Sequence, residues 1–105
     1  MSDEILIKIA LMRQKTFKNL KNNLKKIKET ILRMDREAEI YLFGSVAEGK
    51  YNYSSDIDVL IITKLEPEKI HAELWKMGIK DPFEIHVQSK EKLHFYERNA
   101  KLIRV

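Results

Sequence analysis

Cysteine is missing altogether from the 105 residues, which excludes disulfides and thiolate metal sites. No apolar stretch reaches the length of a membrane helix, because the run from Ile5 to Met12 is short and broken by Lys8. The start, Met1-Ser2-Asp3-Glu4, lacks the positive segment of a secretory signal, so the expected location is the cytoplasm. Repeats, low-complexity tracts and linkers are lacking too. With 44% hydrophobic and 34% charged residues, the chain suits one compact domain over residues 1–105, with a small core and no room for a separate acceptor-binding domain.

A formal net charge of +4 raises the question of nucleic acid. Much of the positive charge lies between Lys15 and Lys28, where Phe17, Leu20, Leu24, Ile27 and Ile31 recur in steps of three and four and mark one apolar helix face. Lys18, Lys21, Lys25 and Lys28 fall off that stripe and form a solvated face. They lack the interleaved aromatic platform of a single-strand binder, so nucleic acid is not an expected partner. The helix is expected to start after Ser2, an N-cap residue, and to run unbroken to about Arg33. Its first turns carry Ile5, Leu6, Ile7, Ile9, Leu11 and Met12, more apolar residues than one face can bury. That surplus either forms a protein interface or caps the core of a sheet.

What the chain does contain is Gly44-Ser45 followed, after ten residues, by Asp56-Ile57-Asp58. Ordinary residue frequencies place such a pattern in about one chain in a thousand of this length, so chance is a poor explanation. Ile40 to Phe43 before it and Val59 to Ile62 after it read as buried strands, with Asn52 to Ser55 irregular. Side chains alternate along a strand, so Asp56 and Asp58 are expected on one face, Cα atoms roughly 6 to 7 Å apart, where one divalent cation can bridge them. Gly44 allows close approach of its backbone to phosphate, and Ser45 adds a hydroxyl donor at the start of a short helix. The stretch Gly44 to Lys50 also matches the phosphate-binding loop of ATPases up to Tyr51. There a Ser or Thr is needed for Mg²⁺, and no long helix follows, so that alternative fails. Lys50 either assists with phosphate charge or is a free surface lysine.

Farther along, Pro67 suits a first helical position, Ile70, Leu74 and Met77 form a stripe, and Gly78 suits a helix stop. In the segment Pro82 to Val87, Phe83, Ile85 and Val87 alternate with Glu84 and His86, which sets Glu84 on the polar face of a half-buried strand. His86 shares that face and reads as a hydrogen-bonded structural histidine within reach of a bound nucleotide. His71 and His94 read as surface residues. Ser89 can cap a last helix with Leu93, Tyr96 and Ala100 inward. The expected order is helix, strand, short helix, strand, helix, strand, helix. This is an α/β domain with helices chiefly on one face of a small mixed sheet.

The Gly-Ser pair, the spacer, Asp-x-Asp and a carboxylate on a later strand together resemble the nucleotidyltransferase superfamily of DNA polymerase beta and the aminoglycoside nucleotidyltransferases. In its compactness the chain is most similar to the minimal nucleotidyltransferases of prokaryotes. The resemblance spans roughly residues 39–88. It implies the nucleotidyltransferase fold, with Asp56, Asp58 and Glu84 as catalytic, metal-holding carboxylates for two Mg²⁺ ions. Gly44, Ser45 and Lys50 would be nucleotide contacts, with ATP as substrate. Glu84 would complete one ion's ligands or act as base for the acceptor hydroxyl. Relatives commonly carry a basic residue before the second glycine of the loop, where this chain has Glu48. Minimal nucleotidyltransferases are paired with small helical HEPN proteins, and some act as antitoxins by transferring AMP to a tyrosine of the HEPN toxin. The resemblance implies the same partner here, and the apolar N-terminal helix offers a surface for homo- or hetero-oligomers. The alternative is a non-catalytic nucleotide-binding subunit that neutralises or scaffolds its partner by contact. A third option, modification of a small molecule, would need turnover of a free acceptor by the isolated chain.

Overall fold

In the computed structural model, which describes residues 2–105, two helices precede the sheet: α1 (Asp3–Lys18) and α2 (Leu20–Met34). Ser2 caps α1 as expected, its Oγ accepting from the Ile5 amide at 3.3 Å. The expected unbroken helix is interrupted at Asn19, whose backbone leaves helical geometry at φ −104° and ψ 22°. The Asn19 side chain donates to the Lys15 carbonyl at 3.0 Å, offering the backbone a local alternative to continuing the helix. Of the two, α2 supplies most of the core contacts. Ile27 and Ile31 are fully buried, with Leu20 and Leu24 packed against them, whereas the apolar residues of α1 from Ile5 to Met12 are all exposed. The expectation that they cap the sheet is therefore not met, because the break at Asn19 leads α1 away from it. Of α1, only Phe17 is buried, with Tyr51 stacked on its ring at 5.3 Å and Tyr53 tilted against it at 5.5 Å.

The sheet has the order β3-β2-β1-β4, where β1 is Glu39–Phe43, β2 is Ile57–Ile62, β3 is Phe83–Gln88 and β4 is Ile103–Arg104. A short helix α3 (Gly44–Ala47) and an irregular loop join the antiparallel strands β1 and β2. Strands β2 and β3 are parallel, so their connection must cross over, and α4 (Pro67–Lys76) provides it, with Pro67 at its start and Gly78 beyond its end at φ +84°. Three residues in 3₁₀ geometry (Lys90–Lys92) lead into α5 (Leu93–Asn99). Strand β4, which pairs with β1 through Tyr41 and Leu42, was not expected. A two-residue strand is too short to show the period of two that identifies strands in sequence.

One sheet face carries Ile40, Leu42, Ile57, Val59 and Ile61 against Ile27 and Ile31 of α2 and Ile70 and Leu74 of α4, and this is the core. The opposite face carries Phe43, Asp58, Leu60, Glu84 and His86, with Tyr96 of α5 edge-on to Phe43. Helices thus pack chiefly on one face. Leu60 and Ile62 are buried as well, so central β2 is half-exposed only at Asp58. At the far end of β2, Thr63 donates to the Asp35 carboxylate at 2.6 Å, joining the end of α2 to the sheet. That hydrogen bond, aided by the Glu37 and Lys64 amides and the Lys64 charge against the opposing effect of burial, holds the Asp35 carboxyl below its ordinary value.

Candidate functional site

The site starts from strand pairing. Phe43 of β1 lies opposite Asp58 of β2, and Asp58 lies beside Glu84 of β3, so the end of β1 and both carboxylates occupy one row across the sheet. At the end of β1 the chain turns at Gly44 with φ +76°, a conformation that favours glycine. A Cβ at Gly44 would stand 2.3 Å from Asp58 Oδ2. Gly44 is therefore required twice, by its backbone angle and by the carboxylate pressed against it. The turn closes through the Lys50 amide donating to the Ser45 carbonyl at 2.9 Å.

Asp58, Glu84 and His86 converge. Nε2 of His86 donates to Asp58 Oδ1 at 3.2 Å and lies 3.7 Å from Glu84 Oε1, and ligand atoms of all three residues lie within 4.8 Å of one another. The His86 ring is braced edge-on against Phe43 at 5.0 Å, and Phe43 in turn against Tyr96 at 5.5 Å. His86 is hydrogen-bonded, as the sequence suggested, but its partner is a candidate catalytic carboxylate. Side-chain exposure rises from 23% at Asp58 to 55% at Glu84, so Asp58 forms the floor and Glu84 the open rim.

Asp56 sits differently. It precedes β2 rather than lying within it, its side chain is 57% exposed, and it is not part of the converging trio. Its nearest charged partner is Arg13 of α1, Nη2 standing 3.9 Å from Asp56 Oδ1. Sequence reasoning missed Arg13. A signal was present, because Arg13 stands four residues before buried Phe17 and so shares the inward side of α1.

Ser45 is half-buried beside Gly44, while Glu48, Lys50 and Tyr51 are exposed. Glu48 thus points its charge into solvent. At four residues α3 has a small dipole, so anion contacts here would rest on individual amides and the Ser45 hydroxyl. The loop behind is ordered by Asn52, whose Oδ1 accepts from the Ser54 amide at 2.8 Å. His71 and His94 lie exposed on α4 and α5. Cavities of 620 Å³ between α2 and β4 and of 430 Å³ near Asp35 and Thr63 are lined by other residues than the carboxylates. Among the described residues, no helix is long and apolar enough to cross a membrane.

Asp58 and Glu84 can hold a divalent cation, their oxygen donors suit Mg²⁺, and His86 orients Asp58 through its hydrogen bond. The donor set therefore fits a metal. A family model described as nucleotidyltransferase domain matches residues 24–105. No curated protein matches the chain.

Proposed function

Since this chain belongs to the nucleotidyltransferase domain family, we propose that it transfers a nucleoside monophosphate, AMP from ATP, to a hydroxyl on a partner protein. The observation that carries the reading is the convergence of Asp58 and Glu84 beside the Gly44 turn. Asp58, Asp56 and Glu84 would hold up to two Mg²⁺ ions. Bound there, the metal would neutralise charge gathering on the phosphates. Gly44 and Ser45 would receive the triphosphate, with exposed Lys50 at the rim. The acceptor oxygen forms a bond to the α-phosphorus, the bond from that phosphorus to the oxygen bridging toward the β-phosphate breaks, and pyrophosphate leaves. The hydroxyl proton passes to a base, and Glu84, which is more open to an incoming acceptor than Asp58 beside it, is the candidate.

The acceptor class follows from the resemblance and from α1. A tyrosine of a small helical HEPN-type protein would make the chain an antitoxin by modification, and the exposed apolar α1 suits a protein partner. In a second reading the chain binds nucleotide and neutralises its partner by contact alone, which the exposed apolar α1 suits as well. Co-purified complex incubated with Mg²⁺ and ATP labelled at the α-phosphate separates the two. Transfer predicts label on the partner that disappears in Asp56→Ala and Asp58→Ala while the complex persists. A stable complex that stays unlabelled with each common nucleoside triphosphate would leave only the contact reading.

A further inference from the structure

Arg13 ties α1 by hydrogen bonds to the carboxylate end of the sheet, and its side chain is only 13% exposed. Nε donates to the Tyr53 carbonyl at 2.7 Å, and Nη2 donates to the Ser55 carbonyl. Nη1 donates to both oxygens of Asp81 at 2.7 and 2.8 Å. One guanidinium thus grips two separate segments. The first runs into Asp56 and β2, and the second runs through Pro82 and Phe83 into Glu84 of β3. Between them the Ile57 amide donates to the Pro82 carbonyl at 2.9 Å, so the grip lies just ahead of the first rung joining the two strands. Phe17, one turn farther along α1, stacks on Tyr51 of the same loop and has Tyr53 tilted against it.

We propose that Arg13 is a positioning residue, which fixes the loop before Asp56 against the segment before Glu84 so that the two carboxylates face one metal-nucleotide complex. The inference rests on the metal-site reading given above. Asp56 needs such a device more than Asp58 does. Asp58 is fixed by the strand ladders on both sides, whereas Asp56 lies outside β2 and is largely exposed. The planar fork of arginine reaches three acceptors in different directions with charge-assisted bonds, and an ammonium on a flexible stem cannot reproduce that. Charge alone is therefore not the requirement, and Arg13→Lys is the informative variant.

The test compares full-length wild type with Arg13→Lys and Asp81→Asn by amide hydrogen exchange and by Mn²⁺ titration in the presence of a non-hydrolysable ATP analogue. In both variants, exchange at residues 53–57 is expected to quicken about tenfold, with core amides of β1 and α2 unchanged. Mn²⁺ affinity should fall about tenfold, as for lost support of ligating side chains. Unchanged exchange at 53–57, or wild-type Mn²⁺ affinity in both variants, would overturn the positioning role. Exchange quickened evenly through the core would overturn it too, since Arg13 would then support the fold as a whole. Wild-type protein that takes up no Mn²⁺ would instead overturn the metal-site reading, and the role assigned to Arg13 with it.

Discussion

Gly44 concentrates more of this site's geometry than any charged residue does. Its positive φ and its contact with Asp58 mean that a methyl group strains the backbone and strikes the carboxylate at once. Gly44→Ala is expected to lower stability by about 1 kcal/mol or more in thermal unfolding. It should also cost far more transfer activity than that loss explains, because Asp58 must move. Wild-type activity in a folded Gly44→Ala protein would contradict the requirement. Gly44 and Asp58 stood out in the sequence through the spacing of Gly-Ser to Asp-x-Asp between two apolar runs, and Glu84 through the alternation of Phe83, Ile85 and Val87 around it. The placement of Asp56 was less legible, since alternation says nothing about a residue one step outside the strand. For Arg13 the sequence offers only its helical spacing to Phe17, because its three partners lie far along the chain.

Another residue-scale expectation concerns pH. Asp35 has a depressed carboxyl pKa in the folded protein, so its contribution is present above the unfolded value of about 3.9 and is lost as pH falls through the folded value. Thr63→Val removes the first cause of that shift. At neutral pH the variant should be less stable by about 1.5 to 3 kcal/mol, a charged-acceptor hydrogen bond's worth. The gap to wild type should narrow below about pH 4. A gap constant from pH 7 to pH 3 in denaturant titrations would remove Asp35 ionisation from the explanation.

At the scale of elements, β1, β2, α4 and β3 were legible because each is an apolar run or stripe bounded by Gly, Pro or polar residues. Two features were not. The interruption at Asn19 depends on one side chain bonding its own helix, against a stripe from Phe17 to Ile31 whose period continues across it. Strand β4 forms only because β1 leaves an edge open beside it. The break has a consequence for α1, which leaves the domain with apolar residues on several sides and little to cover them. A charge at Ile9 should therefore leave folding nearly untouched and act on association. Ile9→Glu is expected to keep the unfolding midpoint within about 0.5 kcal/mol of wild type while abolishing co-purification of the partner. A clear loss of stability with the complex intact would show that α1 serves the fold instead.

For the whole molecule, one face of the sheet secures the fold and the other carries the candidate site. Ile57, Val59 and Ile61 bury against α2 and α4, while Asp58 emerges on the opposite side of the same strand beside Glu84 and His86. Arg13 and Phe17 join this arrangement to α1, so the surface suited to a partner and the carboxylate end of the sheet are tied together. The central claim is that the site cleaves between the α- and β-phosphates. It is tested most directly by giving the complex ATP labelled at the α-phosphate in one incubation and at the γ-phosphate in another. The account predicts that α-label stays on the partner and γ-label leaves as pyrophosphate, both dependent on Asp58. Retention of γ-label on the partner, or α-label retained equally by Asp58→Ala, would contradict it.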